Sequence, residues 1–193
     1  MWFKPAHLNM QEEKTVSEKP DRELAVAAQR GDGNSFTELC GRYYAAMVAT
    51  AHSIIGDRHL AEDAAQQAFA TAAIKLPELH DAGKFAGWLR VICRNAASDI
   101  GRRQRIIFNA DNLSSMPAKG NNSQDTAAVR EAISRLTPDA REVIYLRYYD
   151  GMTYQRISKV LGISEEAING RLRRAKEKIY EYLKRNGFDE ENI

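Results

Sequence analysis

The sequence predicts an all-α protein made of two small helical domains joined by a flexible linker, the second domain being a helix-turn-helix. Apolar residues recur at intervals of three and four almost throughout, which is the helical period, and no segment alternates as a strand would. The pattern stops once, in the Asn-, Ser- and Gly-rich segment NADNLSSMPAKGNNSQD, which is typical of a linker. Near the C-terminus, capping residues and a glycine outline two helices around a tight turn.

The first two helices are predicted from their ends. Asp21 opens a short helix that Gly31 stops, since glycine readily adopts the left-handed conformation in which many helices end. Ser35 and Glu38 then form a capping box, in which each side chain accepts a hydrogen bond from the other residue's backbone N–H. Apolar side chains follow from Phe36 at helical spacing, so the second helix is expected to begin at this box.

The third and fourth helices complete the first domain. Gly56 ends the second helix, and Asp57 is placed to cap the third, which runs to about Leu76. The fourth helix has one apolar face, made of Phe85, Trp88, Leu89, Ile92, Ala96 and Ile100. Aromatic side chains can stack on unpaired bases, but Phe85 and Trp88 match the spacing of this face, so both are predicted to lie in the core.

The segment after the linker has the pattern of a helix-turn-helix. Two leading helices carry the apolar residues Val129, Ile133, Leu136, Val143 and Leu146. Thr153 then caps a short helix that ends at Gly162, and Ser164 caps a long final helix. A tight turn needs a residue that tolerates positive φ, and the small Ser158 allows the two helices to cross closely.

Basic residues are concentrated in two stretches of a chain whose net charge is only +2. Residues 84–105 hold six basic residues and one acidic residue, and residues 169–178 hold five and one. Residues 1–80 instead hold 11 acidic and 8 basic residues. Two local basic stretches predict two separate contacts with a polyanion. A basic helix face is often only solvated, but Arg and Asn on the second helix of a helix-turn-helix favour DNA binding.

These elements resemble a known family. The stretch LTPDAREVIYLRYYDGMTYQRISKVLGISEEAINGRLRRAKEKI is similar to the C-terminal DNA-binding region of extracytoplasmic-function sigma factors, which are small promoter-recognition subunits of bacterial RNA polymerase. Upstream, DRHLAEDAAQQAFATAAIKL and GKFAGWLRVICRNAASDIGRRQR resemble the family's region that binds polymerase and opens the promoter. The two matches occur in the family's order and cover about residues 21–185.

The resemblance implies a domain organisation and a function. Sigma region 2 corresponds to residues 21–105 and sigma region 4 to residues 127–187, with a linker at 106–126. A mobile arm, 1–20, and an acidic tail, 188–193, flank them. A protein of this kind binds core RNA polymerase and directs promoter-specific transcription initiation.

The resemblance also implies three sets of contact residues. Docking on a coiled coil of the polymerase's largest subunit is assigned to Glu62, Asp63, Gln66 and Gln67, whereas Asp57 is more simply a helix-start acid favoured by the dipole. Recognition of the minus-10 element and promoter melting are assigned to Lys84, Arg90, Arg94, Asn95, Arg102, Arg103 and Arg105. Among these, Asn95 lies where the family places an amide that reads a flipped-out base. Binding of the minus-35 element as duplex is assigned to Ser164, Glu165, Asn169, Arg171, Arg173, Arg174 and Lys176.

Two positions depart from the family's pattern. Asn169-Gly170 stands where relatives usually have Lys-Ser or Arg-Ser, and Gln67 stands where an acidic residue is common. A glycine inside a helix costs on the order of 1 kcal/mol relative to alanine. The missing cation is expected to change the preference for the minus-35 sequence, and Gln67 is expected to weaken polymerase binding.

The family further implies promoter DNA and an inhibitory anti-sigma factor as partners. We expect no small-molecule substrate, cofactor, metal or catalytic activity, because the chain has no Gly-rich phosphate loop, nucleophile elbow or HExxH, and its four histidines are scattered. No apolar run approaches the roughly 18 residues of a membrane span, and the N-terminus does not have the pattern of a secretion signal. A cytoplasmic protein without membrane insertion is therefore predicted.

Two further points stay open in the sequence. A stand-alone transcriptional regulator, whose helix-turn-helix binds duplex DNA while the first domain senses or dimerises, is the alternative function. It leaves the Arg-rich residues 84–105 without a role. Cys40 and Cys93 lie far apart on predicted apolar stripes, so both are predicted to be reduced core residues.

Overall fold

The computed structural model describes residues 19–110 and 124–188 of the chain, and within these ranges the protein is helical with no strands. The α-helices are α1 (Asp21–Gln29), α2 (Gly33–Ile55), α3 (Arg58–Lys75), α4 (Phe85–Ala110), α5 (Gln124–Ser134), α6 (Pro138–Ile144), α7 (Tyr154–Leu161) and α8 (Glu165–Arg185). Two 3-10 turns, Leu76–Glu78 and Ala82–Lys84, lie between α3 and α4, and a π-helical turn, Tyr145–Tyr149, extends α6. The all-α prediction is confirmed.

The helices form two bundles, the N-terminal bundle (α1–α4) and the C-terminal bundle (α5–α8). The predicted arm and acidic tail lie almost entirely outside the described residues. The predicted linker does so only in part, because α4 continues to Ala110 and α5 begins at Gln124. Residues 105–110, RIIFNA, contain neither glycine nor proline, so no local signal stops α4 at the boundary predicted from composition.

In the N-terminal bundle, α3 packs between α2 and α4 through a face made of small residues. This face consists of the fully buried Ala61, Ala64, Ala65, Ala68 and Ala72. Alanine has no side chain beyond Cβ, so the backbones of neighbouring helices can approach closely. The opposite face of α3 is consequently left at the surface and carries the polar residues of the helix.

The predicted capping box at the start of α2 is wrong. Asp32 is the N-cap, and its Oδ1 accepts a hydrogen bond from the Asn34 N–H at 3.0 Å. Ser35 Oγ instead donates to Asp32 Oδ2 at 2.6 Å, and Glu38 pairs with Arg42. Aspartate caps helices as well as serine does, and this aspartate comes first along the chain.

The other predicted caps are confirmed. The side chains of Asp57, Thr153 and Ser164 each accept a hydrogen bond from the backbone N–H three residues ahead, at 3.0–3.2 Å. Gly56 and Gly162 adopt φ values of 81° and 67°, which are left-handed conformations favoured by glycine. These ends fix where the polar faces of α3 and α8 begin.

The two cysteines are free thiols, and burial protects them to different degrees. Cys93 is fully buried and its Sγ donates to the Met47 carbonyl at 3.2 Å. Burial raises the pKa of Cys93 to about 12 and that of the half-buried Cys40 to about 11, so both thiols are protonated at neutral pH. The core prediction is confirmed for Cys93, whereas Cys40 lies at the edge of the core. Separately, no helix in the described ranges is both long and apolar enough to span a membrane.

Candidate nucleic-acid interface

Three of the four predicted docking residues share the exposed face of α3. Asp63, Gln66 and Gln67 are exposed because they lie opposite the alanine face. Glu62 is half-buried at the edge of this face, and its Oε1 accepts a hydrogen bond from Arg58 Nε at 3.0 Å. The carboxylate of Asp63 and the two amides are thus free of the core and available to a polar helical partner. We call these three residues the α3 stripe.

Sequence reasoning missed Ile74, which continues the α3 stripe. It lies eleven residues after Asp63, three helical turns further along the same side, and its surface is 81% exposed. A large apolar side chain left in water at the end of a polar face is a typical interface residue. The sequence did contain a signal for this exposure, because position 74 is one residue away from the positions at which the buried alanine face would continue.

Asn95 lies in the middle of an exposed stripe on α4. Residues 88, 91, 95, 98 and 102 are separated by three or four positions, so Trp88, Val91, Asn95, Ser98 and Arg102 share one side of the helix. Trp88 is only partly buried at the inner end, with its ring centroid 6.0 Å from that of Phe85. We call this set the α4 stripe; it brings an amide and a cation together with an aromatic and an apolar side chain.

Lys84, Arg102 and Arg103, three of the cations predicted to contact the minus-10 element, lie within the α4 stripe or near it. Lys84 lies at its N-terminal end and pairs with Asp81 at 3.7 Å, with both side chains exposed. Arg102 donates to Asp99 at 2.9 Å, also at the surface, and Arg103 is exposed. Exposed pairs of this kind contribute little to stability, so these cations can exchange their partners for phosphates. The side chain of Arg105 lies outside the described residues.

Arg90 and Arg94 do not join the α4 stripe. They point to the C-terminal bundle, where both contact Glu142 of α6. Arg90 Nε and Nη2 donate to the two carboxylate oxygens of Glu142 at 2.8 and 2.7 Å. Arg94 Nη1 donates to Asp139 at 2.9 Å and to Glu142 at 3.3 Å. Sequence reasoning grouped these arginines with Asn95, but the structure separates them from it.

Glu142 is buried between the bundles. Its side chain is 1% exposed, and Thr50 Oγ1 of α2 donates to its Oε1 at 2.8 Å. Burial is the largest influence on the pKa of the Arg90 guanidinium and lowers it, but the hydrogen bond and charge of Glu142 outweigh burial, so the net shift is upward. The contact is therefore a buried ion pair with two hydrogen bonds between Arg90 and Glu142.

The C-terminal bundle contains the predicted helix-turn-helix. α7 ends at Gly162, and Ser158 Oγ donates to the Ile163 carbonyl at 2.7 Å, which ties the turn to the first helix. Ile157 and Ile168 are completely buried between α7 and α8. The buried side of α8 leaves its polar residues at the surface, including Ser164 and Glu165 at its N-terminus.

The basic residues of α8 divide between two flanks of the helix. Asn169, Arg173 and Lys176 are all exposed on one flank. Arg171, Arg174 and Lys178 lie on the other, where with Thr137 and Asp139 they line a cleft of about 240 Å³. The two flanks meet at Gly170, on the side opposite the buried residues. A helix held at its N-terminal end in a DNA groove can contact both groove walls in this way.

Gly170 leaves room for the guanidinium of Arg174. A Cβ atom at this position would lie 3.4 Å from Arg174 Nη1. We expect G170A to raise the free energy of unfolding of the C-terminal bundle by about 1 kcal/mol through helix propensity. Any shift that the new Cβ forces on the Arg174 side chain would reduce this gain. Chemical denaturation measures this gain.

The matched control for this prediction is G41A. Gly41 is also inside a helix, but a Cβ there meets nothing within 4 Å. The difference between the two gains measures the contact with Arg174. A loss of stability in G170A, with a normal gain in G41A, would contradict the expectation.

The geometry agrees with comparisons to known families. The family model described as Sigma-70 region 2 matches residues 39–106, and the model described as Sigma-70, region 4 matches residues 126–179. The first match spans most of α2, α3 and the described part of α4 that carries the α4 stripe. The second spans most of the C-terminal bundle, including the turn and the basic part of α8.

The relatives with similar sequences include two sigma factors from other bacteria. A probable RNA polymerase sigma factor, RfaY of Xanthomonas campestris, is 34% identical over 142 residues, which is 67% of this chain but only 36% of that protein. The chain thus spans about a third of this relative. The RNA polymerase sigma factor CnrH of Cupriavidus metallidurans is 29% identical over 178 residues, covering 84% of this chain and 93% of CnrH.

The solved structures that are similar in fold include two complexes of sigma factors. CnrH in complex with the cytosolic domain of CnrY has a TM-score of 0.59 at 27% identity, covering 86% of this chain and 99% of that one. The sigma factor RpoE in complex with the anti-sigma factor NepR, from Bartonella quintana, has a TM-score of 0.51 at 25% identity, covering 77% and 96%. The helical bundles, the two family matches and these relatives agree. The chain therefore belongs to the sigma-70 family, and it is an RNA polymerase sigma factor of the extracytoplasmic-function group that directs transcription initiation.

Proposed function

We propose that this sigma factor uses three separate surfaces during initiation. The α3 stripe docks on the coiled coil of the largest subunit of core polymerase. The α4 stripe, with the neighbouring cations of α4, binds the minus-10 element and captures an unpaired base through Asn95. The two flanks of α8 bind the minus-35 element as duplex. The observation that carries the proposal is that each surface is an exposed helix face with the chemistry its partner requires.

The docking role of the α3 stripe follows from its composition. Asp63 offers a carboxylate, and the two glutamine amides can both donate and accept hydrogen bonds, so a basic or polar helix is the complementary partner. Ile74 adds an apolar contact at the end of the stripe. Core polymerase is therefore proposed to bind through hydrogen bonds along the helix and one apolar anchor.

The docking proposal is tested with purified chain and sigma-free core polymerase. We expect the wild-type chain to form a one-to-one complex in size-exclusion chromatography, and D63R/Q66R to bind at least tenfold more weakly, about 1.4 kcal/mol. Reversed charge at the contact adds repulsion to the lost hydrogen bonds. Fluorescence anisotropy with labelled chain gives the affinities.

The control is E23R, which reverses an exposed charge on α1, away from the stripe. If E23R and D63R/Q66R weaken binding equally, the stripe is not the docking surface. If the wild-type chain does not bind polymerase but binds duplex DNA tightly by itself, the stand-alone regulator becomes the better description.

The DNA roles follow from the charges and exposure of α4 and α8. Reading an unpaired base requires an amide or aromatic group beside cations that hold the phosphates, and the α4 stripe offers Asn95 with Arg102 on one side. Duplex recognition requires Arg or Asn at base edges and further cations on the backbone. The two flanks of α8 supply both.

We also propose that an anti-sigma factor inhibits this chain. The proposal is supported by the two similar structures, in which CnrH is bound to CnrY and RpoE to NepR. A tagged chain should recover from its native cells a protein that prevents the complex with core polymerase. Recovery of polymerase alone under all growth conditions would contradict the proposal.

A non-catalytic role is part of the same proposal. Within the residues that the structure describes, no three His, Cys, Asp or Glu side chains are grouped so that they could hold a metal ion. The acidic residues of α3 accordingly have a docking role in this proposal and not a nuclease role. Cleavage of DNA by the purified chain with divalent metal would contradict it.

A further inference from the structure

The contact between the two bundles is unusual because it is centred on a buried charge. Glu142 belongs to α6, but its donors Thr50, Arg90 and Arg94 all belong to the N-terminal bundle. A buried carboxylate needs such partners, since desolvating an unpaired charge costs several kcal/mol. Removing Glu142 would leave the guanidiniums of Arg90 and Arg94 at the interface without their carboxylate partner. The closed contact between the bundles therefore depends on this pairing.

Neighbouring contacts extend the same interface. Arg94 also pairs with Asp139 at 2.9 Å. The His52 ring packs on the Tyr145 ring, with centroids 4.7 Å apart. Arg156 of α7 donates to the backbone carbonyl of Arg42 in α2. The bundles are thus joined by several contacts, with the Glu142 cluster at the most deeply buried point.

The closed arrangement occupies two of the cations assigned to the minus-10 element. In the closed chain, Arg90 donates to Glu142 at 2.8 and 2.7 Å, and Arg94 donates to it at 3.3 Å. These donors would have to leave Glu142 to bind a phosphate. The contact must therefore open before both arginines can bind DNA.

The surfaces are affected unequally by closure. The α3 stripe and the flank of α8 that carries Asn169, Arg173 and Lys176 remain exposed in the closed chain, whereas Arg171 on the other flank is half-buried. Among the minus-10 cations whose side chains the structure describes, Arg90 and Arg94 are the ones bonded across the interface. Closure thus leaves polymerase docking possible and withholds two cations from DNA.

We propose that Glu142 is an intramolecular latch, which holds the chain closed and occupies Arg90 and Arg94 as a phosphate would. Opening the latch separates the bundles and releases both arginines for the promoter strand. The DNA consequence rests on the proposed minus-10 role of these arginines, whereas the closure itself does not.

The latch is tested with E142Q in the full-length chain, using small-angle X-ray scattering and single-stranded DNA binding. A compact chain of 193 residues has a radius of gyration of roughly 16 Å, and E142Q is expected to be larger than wild type. Binding to a fluorescein-labelled 12-nucleotide single strand should become more salt-dependent. Two additional phosphate contacts make the slope of log K against log salt steeper by about 1.4.

Two further variants make the test decisive. E131Q removes the same charge from α5, where Glu131 pairs only locally with Arg135 at the surface, and should leave both measurements unchanged. R90Q/R94Q breaks the latch from the other side and should enlarge the chain without steepening the slope. If circular dichroism shows that E142Q does not fold, R90Q/R94Q provides the test of the latch instead.

The two measurements separate the latch from the proposed function. An enlarged E142Q with an unchanged salt slope would support the latch and contradict the minus-10 role of the two arginines. A wild-type radius of gyration in folded E142Q, or in R90Q/R94Q, would overturn the latch.

Discussion

Replacing Arg171 and Arg174 together by alanine is expected to lower the affinity of the holoenzyme for its promoter by about 100-fold, or about 2.7 kcal/mol. Each arginine that contacts a base edge or a phosphate contributes about 1–3 kcal/mol. The two side chains share one flank of α8 and line the same cleft, so they are placed to contact one wall of the groove. Binding is measured on a duplex selected from a random library with the reconstituted holoenzyme.

The matched control is K184A/R185A, which removes two cations from the last turn of the same helix, far from its N-terminal end. R171A/R174A should also reduce the salt dependence, since each lost phosphate contact lowers the slope by about 0.9. Equal losses in the two double variants would show that only the net charge of α8 matters. Such a result would contradict the assignment of this flank to DNA.

Replacing Phe85 by alanine is expected to destabilise the N-terminal bundle by about 3–5 kcal/mol, the usual cost of deleting a buried aromatic side chain. Phe85 is 1% exposed, and its ring lies 6.0 Å from the rings of both Tyr43 and Trp88. The cavity left by this deletion would lie at the contact between α2 and α4. Urea denaturation followed by circular dichroism measures the loss.

V91A provides the comparison for Phe85. Val91 is on the exposed α4 stripe, so its replacement should change the stability by no more than about 0.5 kcal/mol. If F85A were as stable as V91A and instead failed to open promoters, Phe85 would be a stacking residue and not part of the core. The stability measurement therefore distinguishes the two roles of an aromatic residue in a melting helix.

Much of the fold could be predicted because helix signals are local. The caps Asp57, Thr153 and Ser164 each act on a backbone N–H three residues away, and Gly162 acts through its own φ. The predicted capping box at Ser35 was wrong although capping is local, because Asp32 and Ser35 are both able to cap a helix and lie only three residues apart. The end of α4 and the start of α5 differ from the predicted limits of the linker. The composition of a linker does not define its limits as closely as a capping residue defines a helix end.

The exposure of a candidate site residue could be predicted only where its position on a helix face determines it. The alanine face of α3 places Asp63, Gln66 and Gln67 in water, and the period of α4 places Asn95 there. Ile74 was missed because hydropathy alone assigns isoleucine to a core, although its position does not fit the spacing of the buried alanines. That one flank of α8 lines a cleft with Thr137 and Asp139, by contrast, became visible only in the tertiary structure.

The sequence by itself determined the all-α class, the two helical regions, the helix-turn-helix and the family, because these depend on periodicity, caps and motifs within short stretches of chain. The tertiary structure alone decided the fate of Arg90 and Arg94. Their partner Glu142 is 52 and 48 residues away along the chain, and no local pattern relates residues at such a distance. An ion pair of this kind forms only because folding brings α4 and α6 together and excludes water between them, which makes the pairing of a buried charge obligatory.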